Sequence, residues 1–329
     1  MINNEHPFAQ YVRILGKGKK GSRSLTRDEA EQAMLMILNQ QVTPEQLGAF
    51  LMLLRVKEES PEELSGFVDA VRQQISAPSM LQADLDWSAY AGKKRQLPWF
   101  FLSALILAEQ GVRVCIHGAR GHTPGRLYVE DLLGHFGHKA SKKWLDAQLD
   151  LDETGLCYLP LQLINAELAR IINLRQVLGL RSPVHTFSRL LNPLDAPFRI
   201  DGVFHPAYGP MHQQTAALLG QNNSVTIRGD GGEAELRPDA DCSLQWLKNG
   251  EYLDENWPRL LDQRHTRPEQ LEPKELLELW RGRHAQPYGE AAVCETLAVC
   301  LRLMQRAASV EQARELARSL WQRRDKNRY

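Results

Sequence analysis

Three helix starts built to one design occupy the first 76 residues, and they restrict the fold more than any other feature. Thr26-Arg27-Asp28-Glu29, Thr43-Pro44-Glu45-Gln46 and Ser60-Pro61-Glu62-Glu63 each set a hydroxyl three residues ahead of Glu or Gln. At that spacing the hydroxyl takes a backbone N–H of the first turn, and the longer side chain returns to the N–H of the capping residue. In the second and third cases Pro stands at the first helical position, where its missing N–H leaves nothing unsatisfied. Behind the caps, Leu47, Phe50, Leu51 and Leu54, and then Leu64, Phe67, Val68, Val71 and Ile75, recur at helical spacing. The pattern predicts three amphipathic helices, each with one apolar stripe. Helices this short bury little alone, so they are expected to pack on other helices or on a second copy of the chain.

From about residue 97 the pattern changes. An apolar helix is expected over 98–110, then Gly111, then the β-rich run Val112-Arg113-Val114-Cys115-Ile116, with a further strand at 224–228. Helix alternating with strand predicts an α/β layer around a largely buried sheet. Helices are also expected over 162–178, 290–307 and 310–323.

Forty basic and forty acidic residues cancel. Affinity for nucleic acid or an anionic membrane would therefore have to come from segregated charge. No apolar run reaches the length of a membrane span and the opening residues are polar, so a cytosolic protein with no membrane association is expected. The five cysteines show no CxxC pair and read as reduced, mostly buried thiols. His135-x-x-His138 lacks companion ligands at metal-site spacing. His205 and His212 read as a helix cap or a core hydrogen bond, and Arg323 to Arg328 as a solvated tail.

Gln46-Leu47-Gly48-Ala49-Phe50-Leu51-Met52-Leu53-Leu54-Arg55-Val56-Lys57, Gly111-Val112-Arg113-Val114, His117-Gly118 with Arg120, Leu178-Gly179-Leu180-Arg181, Leu190-Leu191-Asn192-Pro193 and Gly229-Asp230-Gly231 follow one another in a recognisable order. In them the chain resembles the anthranilate phosphoribosyltransferase-like family and related nucleoside phosphorylases, from about residue 8 to 325. The resemblance implies an α/β fold, with a small all-helical domain beside a larger α/β domain whose central, largely parallel sheet is flanked by helices. It places the helical domain at 1–76, completed by about 162–187, and the large domain at 77–161 and 188–329. It also implies a homodimer through the helical domain, and it aligns Arg175 with an arginine that helps bind anthranilate.

The departures from the family bear on function. Its glycine-rich pyrophosphate loop, where backbone N–H groups approach phosphate, is replaced by Ser88-Ala89-Tyr90-Ala91-Gly92. Its phosphate-binding Asn and Ser-Thr pair give way to Arg95-Gln96 and Pro98-Trp99-Phe100-Phe101. Its Lys-bearing, serine-rich loop becomes Gly121-His122-Thr123-Pro124-Gly125-Arg126. Its magnesium-holding Asp-Glu pair is broken, the chain running Gly232-Glu233-Ala234-Glu235. No catalytic residue, metal site or cofactor is therefore expected, and no phosphoribosyl transfer.

Basic residues gather instead at Lys17, Lys19, Lys20 and Arg23, at Lys93, Lys94 and Arg95 beside Tyr90, Trp99 and Phe100, at Arg120 and Arg126, and at Lys139, Lys142 and Lys143. Lysine and arginine on glycine-containing loops can follow a phosphate backbone, and aromatic faces can stack bases. The expectation is a sequence-independent DNA- or RNA-binding protein on a transferase scaffold, although any single run also reads as a solvated face. The alternatives are a phosphoribosyl or glycosyl transferase with an altered donor site, and a scaffold with no ligand.

Overall fold

The computed structural model describes residues 5–18, 20–266 and 268–329. Its first helix, α1 (Ala9–Gly16), has no side-chain cap and so left no start signal in the sequence. Then come α2 (Arg27–Leu38), α3 (Pro44–Lys57) and α4 (Pro61–Arg72), and all three capping boxes form. Glu63 does more than cap α4. Its Oε2 accepts from Ser60 N and from Lys57 Nζ, both at 2.8 Å, and its Oε1 accepts from Leu25 N at 2.8 Å. One buried carboxylate thus ties α4 to α3 and to the link before α2.

The α/β layer runs β1 (Leu85–Ala89), α5 (Phe100–Glu109), β2 (Val114–Gly118), α6 (Trp144–Thr154) and β3 (Leu156–Pro160). The single helix expected over 162–178 is three pieces, α7 (Leu161–Ile164), α8 (Ala166–Ile172) and α9 (Arg175–Leu178). Asn165 breaks it, because its side chain accepts from Leu168 N at 2.9 Å and restarts the helix. α10 (Val184–Phe187), β4 (Phe198–Val203), α11 (Tyr208–Leu218) and β5 (Asn223–Arg228) follow, then the hairpin β6 (Cys242–Lys248) and β7 (Glu251–Trp257). Helices α12 (Lys274–Trp280), α13 (Pro287–Leu303) and α14 (Val310–Arg323) close the chain.

The seven strands lie in the order β3-β2-β1-β4-β5-β6-β7. The first five are parallel and the last two antiparallel. Alternation along the strands feeds two cores. Leu85, Trp87, Val114 and Ile116 join α5, α13 and α14 on one face, with Trp87 stacked on Phe100 at 5.5 Å. Cys115, Cys157 and Leu159 face the core that holds α1 to α4 and α7 to α10. All five cysteines are buried and unpaired, as expected. Of the expected solvated tail, Arg323 and Asp325 to Arg328 are exposed, but Arg324 is corrected: it donates to the carbonyls of Leu279, Trp280 and Trp321 and lies 3.4 Å over the Trp321 ring, so it ends α14 as a packed cap.

The strand order reverses between β1 and β4. A crevice opens at such a switch point beyond the carboxyl ends of the strands, and α/β sheets place their ligand sites there. No helix among the described residues is long and apolar enough to cross a membrane.

Candidate active-site cleft

The cleft at this switch point encloses about 610 Å³ of space open to solvent. Arg55 and Glu59 contribute from the helical side, Arg181, Ser182, His185 and Arg189 from the stretch around α10, and Phe204, Tyr208 and His212 from the segment after β4. Gly202 must be glycine for this wall to close, since a Cβ there would collide with the backbone of Glu233 and Ala234.

Four arginines gather around the loop 121–126, and neutral groups hold each of them. Arg126 donates to the carbonyls of Ala91 at 2.8 Å and Gly92 at 3.0 Å, Arg175 to that of His122 at 3.1 Å, and Arg189 to that of Gly202 at 2.8 Å. Arg181 reaches Thr123 Oγ1 at 3.4 Å. Among the described residues none of the four forms a salt bridge, although arginines elsewhere do, as Arg302 with Glu255 at 2.6 Å. Burial, and then Arg126, Arg189 and Arg175, push the Arg181 guanidinium down to about 10. A half-buried guanidinium destabilised by like charges is a site short of an anion.

The histidines beside it are shifted toward their neutral form. His122 is pushed down to about 4 by burial and by Arg181, Arg189 and Arg175, while its Nε2 donates to Tyr90 O at 2.8 Å. His185 packs on it at 4.9 Å, and burial pushes it well below its usual range. Ser182 Oγ, His185 Nε2, Arg189 Nε and His212 Nε2 are buried with no partner. Four unmet polar atoms around one cleft are what a polar ligand would satisfy.

Where the family's phosphate loop is replaced, the protein supplies its own anions. Glu235 Oε2 accepts from Phe100 N at 2.9 Å, at the N-terminus of α5, and Glu235 Oε1 pairs with Lys93 Nζ at 2.6 Å. Glu233 accepts from Gly92 N, whose φ of +65° explains the one glycine kept in this loop. Burial pushes both carboxyls up. With both oxygens of Glu235 engaged by a backbone N–H and a lysine and Glu233 Oε1 by the Gly92 N–H, the two glutamates do not fit a Mg²⁺ ion. No group of three His, Cys, Asp or Glu among the described residues could hold a metal.

The residues of the basic runs lie in different surroundings. Lys93 is 0 % exposed and belongs to the buried pair, so it cannot meet a phosphate backbone. Tyr90, Trp99 and Phe100 are core residues and offer no stacking face. Arg23 is fixed on Glu29 at 2.6 Å, and Arg120 faces Glu130 at 3.3 Å and Asp131 at 3.5 Å. Lys17, Lys20, Lys94, Arg95, Lys139, Lys142 and Lys143 are exposed, and Lys19 lies outside the described residues. Only Arg126 of the expected set joins the arginine cluster. Arg181 entered the sequence reading only as part of a motif and Arg189 carried no signal at all, since no periodicity links two arginines eight residues apart.

Comparison with known proteins is consistent with the fold. Residues 10–75 match the glycosyl transferase family, helical bundle domain. Anthranilate phosphoribosyltransferases of Yersinia pestis and Yersinia pseudotuberculosis are 28% identical over 232 residues, spanning 70% of this chain and 69% of theirs. The anthranilate phosphoribosyltransferase of Thermus thermophilus superposes with a TM-score of 0.80 at 20% identity, covering 96% of this chain and 94% of that one. That of Saccharomyces cerevisiae in complex with PRPP and Mg gives 0.76 at 17% identity, covering 96% and 93%. These relatives overturn the nucleic-acid expectation: they are phosphoribosyltransferases, and the alternative of a transferase with an altered donor site fits them better.

Proposed function

We propose that this chain, which shares the fold of the anthranilate phosphoribosyltransferases and resembles them in sequence, is a phosphoribosyl or other glycosyl transferase with an altered donor site. The observation that carries the reading is the set Arg126, Arg175, Arg181 and Arg189, which among the described residues form no salt bridge, although Glu233 and Asp201 act on Arg189, and which crowd one another beside the cleft. Guanidinium groups bind phosphate oxygens bidentately with charge-assisted hydrogen bonds. A diphosphate leaving group gathers negative charge as its bond to the sugar breaks, and fixed cations in a dry site stabilise that charge most. The usual donor contacts are closed, because Glu233 occupies the Gly92 N–H of that loop and Glu235 the Phe100 N–H at the start of α5. The donor's phosphates are therefore assigned to arginine side chains.

A homodimer through the helical domain is proposed with it. Val12, Ile14, Met52 and Leu53 remain only partly buried on α1 and α3, and Val56 is 81% exposed. Sedimentation at micromolar concentration checks this.

The functional test is release of pyrophosphate from phosphoribosyl pyrophosphate in the presence of an aromatic amine such as anthranilate. Turnover is expected in the wild type and is expected to be lost in an Arg181→Ala, Arg189→Ala double variant. A folded wild type that releases no pyrophosphate above the buffer rate would overturn the reading.

A further inference from the structure

We infer that His212, held by Asp201, is the proton acceptor of this cleft. The inference rests on the transferase reading above. Asp201 stands in β4 and His212 one turn into α11, and both are fully buried. His212 Nδ1 lies 2.8 Å from Asp201 Oδ1. An ionised carboxylate can only accept, so Nδ1 carries the hydrogen and Nε2 is left as a bare acceptor. Nε2 has no partner in the protein, and His212 lines the cleft with Arg181 and Arg189.

The surroundings suit the role. Arg199 donates to the other oxygen of Asp201 at 3.0 Å. Although burial opposes it, Arg199 and His212 hold the Asp201 carboxyl below its usual range, so the aspartate stays ionised. Burial lowers His212, with Arg189 and Arg199 adding to the effect and Asp201 opposing it, which favours the singly protonated imidazole before reaction. A neutral imidazole oriented by a carboxylate, with its other nitrogen buried and unpartnered on a residue of the cleft wall, is the arrangement of a general base that a small shift of the wall would bring to a ligand.

The step balances without a further reactant. The acceptor amine's nitrogen forms a bond to C1 of the pentose, and the C1–O bond to diphosphate breaks, with its electron pair leaving on diphosphate oxygen. The proton that the new C–N nitrogen must lose passes to His212 Nε2, and the imidazolium is stabilised by Asp201. The substrate class follows: an acceptor whose nucleophile carries a hydrogen, as an aromatic amine does.

The test compares wild type and His212→Ala, with phosphoribosyl pyrophosphate as donor and anthranilate as acceptor, and includes added imidazole. The variant is expected to lose roughly 100-fold or more in kcat, to bind the donor as the wild type does, and to recover turnover in proportion to the free-base imidazole supplied. A structural role would not give that rescue. Active wild type with an equally active variant would overturn the assignment while leaving the transferase reading intact. A variant that binds donor yet is not rescued would also overturn it. A wild type with no turnover would remove the transferase reading, and this assignment with it. Should His212→Ala fail to bind donor, His212→Gln replaces it, and full activity there overturns the assignment.

Discussion

Lys93 shows how far a side chain's role departs from its local sequence. In Lys93-Lys94-Arg95 it reads as one of three surface cations, yet the chain turns inward after β1 and its ammonium meets Glu235, 142 residues away, at 2.6 Å. Removing one member of a buried pair strands the other, which costs about 3 to 5 kcal/mol. Lys93→Ala is therefore expected to lower the urea unfolding midpoint sharply, while Lys94→Ala leaves it nearly unmoved. Equal small effects would mean that Lys93 is solvated. Nothing within a few residues of Lys93 could have revealed this, because its partner is set by sheet order and not by neighbours. The arginine cluster was hidden for the same reason: Arg126, Arg175, Arg181 and Arg189 converge only once β1, β2 and β4 are adjacent.

Elements were legible where their signal is local. The three capping boxes act over three residues each, and all three form. α1 gave no such signal because it has no cap, and the helix after β3 reads as one piece in the sequence because its apolar spacing continues across Asn165. Capping also sets a graded prediction. Ser60→Ala removes one cap bond and is expected to cost about 1 kcal/mol. Glu63→Ala also strands Leu25 N and frees Lys57, so its cost should be clearly larger, with denaturant titration of both variants as the check. Equal costs would show that Glu63 only caps α4.

At the scale of the whole molecule, the small helical domain beside a mostly parallel sheet was expected from the resemblance, and the structure has it. The loss of the glycine loop and of the carboxylate pair is plain in the sequence, but the gathering of arginines in the crevice is not, since cations on separate segments carry no shared spacing. A lost loop motif does not by itself mean lost phosphate binding, because phosphates can also be met by side chains elsewhere in the same crevice. The central claim is that arginines hold the donor without a protein-bound metal. Calorimetric titration of phosphoribosyl pyrophosphate, with divalent cations chelated, tests it most directly. Binding is expected to persist in the wild type and to weaken about tenfold or more in Arg181→Ala, as loss of a charge-assisted hydrogen bond worth roughly 1.5 to 3 kcal/mol requires. Absence of binding without divalent cations, or equal affinity in the two proteins, would contradict it.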